Sequence, residues 1–343
     1  MFPWADYVPI FSQIKSLGQM IKGDKEGAKA TQENFIGMFA NVIDPNLIVK
    51  PCLSHYCSKK RCGLTNQNWM SGLDDSSLIT HTTIPGTHDS GCRVGGEFAK
   101  CQSWSIREQL KAGIRFFDIR LRCVKNKLYV FHGIINCHLK FEKVVKDCEE
   151  FLSKNPSEFI VMRIRKEANN IYGSKPFNEV YKEYAARDVF LKTPSEKVTV
   201  KETRGKIFVL KNFPGDGFET EWSFFDSDTQ DNFEPISLYA KFRDIYDHHK
   251  NAKQHDSKFY VNFLSACTPS LNAWPRKFAR RCNMMFLNLL KDPQHQHFAG
   301  IVVMDFPGVD LIKELICLNN LKTPCERKQN QEQEQGSRQL PIN

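Results

Sequence analysis

From about Ser77 onward, short apolar runs alternate with amphipathic stretches, which predicts strands joined by helical crossovers. The predicted strands are Leu78–Ile84, Gly113–Arg120, Lys127–Gly133, Phe159–Arg165, Lys206–Asn212, Ile236–Ala240, Lys258–Leu264 and Gly300–Phe306. Between them, Ser105 and Glu108 have the spacing of a capping box that opens a short helix. Phe141, Val144, Val145, Cys148 and Leu152 form the apolar stripe of a helix that Asn155-Pro156 stops. Phe278, Cys282, Met285, Phe286 and Leu289 form another. About eight strands with crossovers predict an α/β fold, a (β/α)8 barrel of the TIM type. The irregular stretch 213–258 predicts that this barrel is distorted or open.

The two ends read differently. Tyr7, Ile10, Phe11, Ile14, Leu17 and Ile21 recur at helical spacing, as do Phe35, Met38, Phe39 and Val42. Residues 1–70 are therefore an N-terminal helical extension, 71–321 the barrel, and 322–343 a Gln/Glu/Lys-rich tail with too few apolar side chains to order itself. The opening MFPWADYVPIFSQIK has an acid at Asp6 and no continuous apolar core, which predicts no secretory signal and a cytoplasmic location.

Composition changes the picture little. The chain has 343 residues and contains no run of apolar residues long enough to cross a bilayer. Its 48 Lys and Arg against 39 Asp and Glu give a net charge of +9, which favours anionic partners. A nucleic-acid binder would need a recognisable binding fold or a basic-aromatic stripe, and neither is present. The 12 cysteines read as reduced, mostly buried thiols. Cys52, His55, Cys57 and Cys62 lack a Cys-x-x-Cys knuckle and read as a loop rather than a zinc site.

In a parallel barrel the chemistry collects at the C-terminal ends of the strands. Those ends carry His88 and Asp89, then Asp118 and Arg120, then His132, then Arg165 and Glu167, and finally Asp305. Strand packing does not call for such residues, and unpaired buried charge is costly, so they should pair around a ligand. The set suits phosphodiester cleavage. One neutral imidazole takes a proton from an attacking hydroxyl, a protonated one supplies the leaving oxygen, and a guanidinium grips the phosphate oxygens.

The runs IPGTHDS, GIRFFDIRLR, FHG and VVMDFP, in this order, resemble the X-domain of the phosphatidylinositol-specific phospholipases C, in its metal-independent bacterial-type branch. The resemblance covers about residues 75–320. It implies that His88 is the general base on the inositol 2-hydroxyl, His132 the general acid for the diacylglycerol oxygen, and Arg120 the phosphate contact. Asp89 should support His132, Asp305 should support His88, and Asp118 matches a further active-site carboxylate. Calcium-dependent relatives place an acidic ligand where Arg120 stands, so the resemblance implies no metal and no cofactor. In the headgroup pocket Arg165 matches a lysine, Lys211-Asn212 a Lys-Arg pair, and Ala240 and Phe242 an Asp-x-Tyr that holds the ring. Arg165, Lys211 and Phe242 are thus the expected substrate-binding positions, in a pocket for an unphosphorylated inositol.

The substrate implied is phosphatidylinositol in an anionic membrane surface, with diacylglycerol and inositol 1,2-cyclic phosphate as products. The altered pocket also fits a catalytically weak phosphoinositide- or glycolipid-binding module. For membrane contact the candidates are Phe213, Phe218, Trp222, Phe224 and Phe225, which suit capping of the core equally well, and Arg276, Lys277, Arg280 and Arg281 on one helix face.

Overall fold

The computed structural model describes residues 65–173, 175–192, 197–213, 222–224, 227–269, 273–319 and 321. The expected helices before residue 65, the Cys52–Cys62 cluster, Phe218, Phe225 and the polar tail lie outside these residues.

Ten strands form one sheet: β1 Ile84–Thr87, β2 Phe116–Val124, β3 Lys127–His132, β4 Ile135–Lys140, β5 Ile160–Lys166, β6 Ile207–Asn212, β7 Trp222–Ser223, β8 Asp228–Gln230, β9 Tyr260–Phe263 and β10 Ile301–Met304. Eight of them run parallel in the order β7-β6-β5-β2-β1-β10-β9-β8. Among the described residues no pairing joins β7 to β8, so the barrel is open there, as the irregular stretch predicted. The helices are α1 Gly96–Ala99, α2 Ile106–Ala112, α3 Phe141–Lys154, α4 Phe177–Ala185, α5 Val200–Thr203, α6 Leu238–Lys250, α7 Pro275–Leu290 and α8 Val309–Cys317.

Most apolar runs became the strands they predicted, because a strand buried on both faces is apolar throughout. Three expectations fail. Residues 78–83 are not a strand: Ile79–His81 form a 3-10 turn, and β1 begins only at Ile84. Residues 236–240 do not form a strand: Ser237 accepts a hydrogen bond from Ala240 N and caps α6. Lys127–His132 is not a barrel strand but runs antiparallel to β2. Its link to β2 is only Lys125-Asn126, with φ of 49° and 58°. Two residues in the left-handed region make a hairpin turn, whereas a parallel crossover needs a dozen residues or more.

The expected capping box is formed at α2: Glu108 N donates to Ser105 Oγ, and Ser105 N donates to Glu108 Oε2 at 2.7 Å. Just before residue 71, Trp69 and Met70 are fully buried, and Trp69 Nε1 donates to Gly113 O at 3.1 Å. Beside them the buried Arg115 guanidinium binds Glu158 Oε2 through Nε at 3.0 Å and Nη2 at 2.8 Å.

Candidate active site

Five strands bring the polar side chains together. His88 and Asp89 follow β1, and Asp305 follows the adjacent β10. Asp118 and Arg120 lie two residues apart on β2 and share one face of the sheet with Arg163 and Arg165 of β5, their register partners. The β2–β3 hairpin then leaves the barrel and returns His132 over the same mouth.

The turn after β1 is held by buried hydrogen bonds. Asp118 N donates to Ser90 Oγ at 2.8 Å, and Asp89 N to Asp118 Oδ2 at 3.2 Å. Gln102 Nε2 donates to His88 O at 2.7 Å and Met304 O at 3.0 Å, tying the two loops together. Asp89 and Phe306 have φ of 40° and 42°, a strained region for non-glycine residues and one often found at functional sites.

His88 Nδ1 donates to Asp305 Oδ1 at 2.9 Å, while Nε2 accepts from Arg120 Nη2 at 2.8 Å. This arrangement defines the neutral tautomer with its lone pair on Nε2. Burial and Arg120 press the His88 pKa down, but the Asp305 and Asp89 carboxylates raise it above its ordinary value. Arg120 Nε also binds Asp118 Oδ2 at 3.1 Å, and Nη1 lies 3.2 Å from Asp89 Oδ2.

His132 lies across from His88, with ring centroids 6.4 Å apart. Its Nδ1 donates to Ala99 O at 2.8 Å, and its Nε2 lies 3.6 Å from Asp89 Oδ2. Burial lowers its pKa, but a hydrogen bond with Cys92, the Asp89 charge and the Ala99 carbonyl raise it to about 9. Asp89 stands between the two imidazoles, 3.4 Å from His88 Nε2, and its own pKa is pushed up to about 6 by burial. Asp118 is moved the other way: burial would raise it, but Arg120 and Arg163 hold it below the carboxylate range.

Of the expected set, the structure gathers His88, Asp89, Asp118, Arg120, His132 and Asp305 at this one mouth. Arg165 shares the face of Arg120, half-exposed, 3.7 Å from Glu167 Oε2. Lys211 is not brought there. It pairs with Ile164 on the alternate face of the sheet, and its ammonium lies 5.4 Å from the centre of the Phe213 ring on the helix side. Period-two alternation leaves Asn212, not Lys211, in register with Arg165. Phe242 lies within α6, packed against the hydrophobic core, because the strand expected there is a helix. Phe213 and Phe224 are buried rather than at the rim.

Arg163 was missed. It is buried, 3.4 Å from Asp118 Oδ1, and stacks 3.8 Å over the Phe224 ring. Its Nε and Nη1 have no hydrogen-bond partner. Period-two alternation with Arg165 was the available signal. Cys92 and Cys101 also lie against His132, and Cys137 lies against Cys92. Cys92, pulled down by Cys137 and His132, has a pKa of about 5. His88, Asp89 and Cys101 bring ligand atoms within 4.8 Å of one another, but the Arg120 guanidinium lies against the same cluster and repels a cation.

The family model for phosphatidylinositol-specific phospholipase C, X domain, matches residues 76–212. The 1-phosphatidylinositol phosphodiesterase of Listeria monocytogenes is 31% identical over 276 residues, covering 74% of this chain and 85% of that protein. The chain belongs to the phosphatidylinositol-specific phospholipase C family. The enzyme of the same name from Staphylococcus aureus (strain Newman) is also 31% identical, over 295 residues, 74% of this chain and 94% of its own. The solved phosphatidylinositol-specific phospholipase C of Listeria monocytogenes superposes with a TM-score of 0.64 at 30% identity, covering 74% of this chain and 99% of that one. A variant of the Staphylococcus aureus phospholipase C superposes at 0.67 with 27% identity, covering 74% and 98%. The open barrel is thus a bacterial-type phospholipase C architecture.

Proposed function

We propose that this chain is a 1-phosphatidylinositol phosphodiesterase that splits phosphatidylinositol into diacylglycerol and inositol 1,2-cyclic phosphate. The observation that carries this reading is the chain Asp305–His88–Arg120, with hydrogen bonds of 2.9 and 2.8 Å. A base must have a free lone pair, and in this arrangement Arg120 covers it. An incoming phosphate competes for the guanidinium, so substrate binding uncovers His88 Nε2 beside the inositol 2-hydroxyl. The hydroxyl proton passes to His88, the 2-oxygen bonds to phosphorus, and the bond to the diacylglycerol oxygen breaks. His132, kept protonated by its surroundings, donates to that oxygen. The nucleophile belongs to the substrate itself, so ring closure needs no outside reactant. Arg120, seated on Asp118 and Asp89, stabilises the charge on the non-bridging oxygens.

With Lys211 on the outer face, Arg165 is the one expected headgroup cation that shares the face of Arg120, which supports an unphosphorylated inositol ring over a bisphosphate. The enzyme works at an anionic membrane surface from the cytoplasm. Exposed Phe98, 4.4 Å from the Trp274 ring, and the exposed Arg276 and Lys277 that open α7 support this membrane contact. Among the described residues no helix is long and apolar enough to span a bilayer.

The test is release of cyclic inositol phosphate from mixed vesicles with chelator present. His88→Ala and His132→Ala should each nearly abolish it. A substrate with a better leaving group should restore much of the rate to His132→Ala but none to His88→Ala. Arg120→Lys should lose about 10²-fold, because a point charge cannot hold two oxygens. Tight vesicle binding without release by the wild type would instead make this a lipid-binding module, and recovery only on adding Ca²⁺ would overturn the mechanism.

A further inference from the structure

A second group of side chains lies at the other end of the barrel. His249 stands at the last turn of α6, which leads into β9, and His295 and His297 lie in the segment leading into β10. All three therefore sit where strands begin, opposite the mouth that holds His88 and His132. One ring nitrogen from each lies within 4.8 Å of the others. His249 and His297 are stacked, with centroids 4.4 Å apart and planes 7° apart.

Their hydrogen bonds decide which nitrogens are free. His249 Nε2 lies 3.1 Å from His295 O, and His297 Nδ1 lies 3.0 Å from Phe298 O. A carbonyl only accepts, so each of these nitrogens carries the proton, leaving lone pairs on His249 Nδ1 and His297 Nε2. His249 is 1% exposed, and its Nδ1 is buried with no hydrogen-bond partner. A buried lone pair without a donor is rare and calls for an explanation. His249, whose far N–H is pinned to a backbone carbonyl, has the usual form of a metal-ligating histidine, because that bond fixes tautomer and ring orientation.

We propose that His249, His295 and His297 form a binding site for one late first-row divalent ion, Zn²⁺ being the natural occupant. Three neutral imidazoles suit such an ion, whereas Ca²⁺ and Mg²⁺ demand oxygen ligands. Tetrahedral coordination draws ligand nitrogens to about 3.3 Å from one another. Closure turns the partly exposed His295 and His297 rings about the buried His249, His297 leaving its stack and its Phe298 contact to aim Nε2 at the ion, and their accessible side leaves a fourth position for water. The ion clips the end of α6 to the segment before β10. Its role is structural and separate from the phosphodiester chemistry, so it leaves the chelator-resistant activity untouched.

The test uses full-length protein freed of metal and titrated with Co²⁺, compared with the double variant His295→Ala/His297→Ala. The two replaced side chains are partly exposed, so the variant should fold, and circular dichroism checks that it does. The wild type should take up one more Co²⁺ per chain than the variant, with four-coordinate d–d bands and no thiolate charge-transfer band. Each single substitution should weaken that uptake by at least about tenfold. His249→Phe, which keeps a ring against Phe286, should abolish it as well. Equal stoichiometry in wild type and double variant, or an extra ion bearing a thiolate band, would overturn the proposal.

Discussion

At the scale of single residues, the site depends on charges that hold one another in place. Asp118 accepts from Arg120 Nε at 3.1 Å and lies 3.4 Å from Arg163 Nη1, so one carboxylate orders two guanidiniums. Arg163→Met keeps the volume but leaves Asp118 held from one side. It should lower kcat/KM by about tenfold or more through looser placement of Arg120. Assays on vesicles alongside a thermal melt check this: full activity in a folded Arg163→Met protein would reduce Arg163 to a core filler. The two histidines also predict a bell-shaped pH profile. Its acid limb lies above the ordinary imidazole value of 6.5, because Asp305 and Asp89 raise His88, and its alkaline limb lies near 9, where His132 loses its proton. The sign for stability follows from His132. Its folded pKa exceeds the unfolded 6.5, so the stabilisation is complete below about 6.5 and is lost as pH rises through about 9. A kcat/KM profile still rising at pH 10 would remove His132 from the acid role.

At the scale of elements, the spacing of β1 from β2 sets the distance from His88 to Arg120. Gly86 of β1 is in register with Phe116 of β2, and a Cβ there would meet Phe116 Cβ at 2.9 Å and Cδ1 at 2.7 Å. The glycine of IPGTHDS is thus required by close approach of two buried strands. Gly86→Ala should cost about 1–3 kcal/mol by overpacking and should lower activity more than a surface change of equal cost, because β1 leads into His88, the proposed base. Urea melts and turnover measured together test this. The motif was legible in the sequence, but the reason for its glycine was not, because Phe116 lies 30 residues away along the chain. The hairpin that carries His132 shows the converse. The two-residue link Lys125-Asn126 stands in the sequence and is too short for a parallel crossover, yet the apolar run 127–133 reads as a barrel strand until the antiparallel pairing is seen.

At the scale of the whole molecule, the barrel has two differently equipped ends. Near the catalytic mouth, Ile134 at the tip of the β3–β4 hairpin is 89% exposed and Phe98 is 63% exposed, with Trp274 against it. These side chains, with the basic start of α7, are the proposed contact with an anionic bilayer. Phe98→Ala with Trp274→Ala should lower vesicle binding and vesicle turnover by about tenfold, since each removes apolar surface that enters the interface. Hydrolysis of a soluble inositol cyclic phosphate should be unchanged in this double variant. Equal losses on both substrates would place these rings in the fold rather than at the membrane.

The sequence by itself determined the barrel class, the capped α2, and the charged and imidazole residues His88, Asp89, Asp118, Arg120, His132, Arg165, Glu167 and Asp305 as candidates at the ends of apolar runs. Each rests on a local signal: apolar period, turn chemistry, or charge at the end of an apolar run. Tertiary structure decided which way neighbouring side chains point and what faces them. Lys211 and Asn212 are adjacent in sequence, yet the register of β6 against β5 keeps Asn212 level with Arg165 and turns Lys211 outward. Ser237 made a helix of an apolar run that reads as a strand. His249 meets His295 and His297 only because α6 and the approach to β10 pack side by side. Contacts between residues far apart in the chain leave no periodic trace in it, and for that reason they became visible only in the fold.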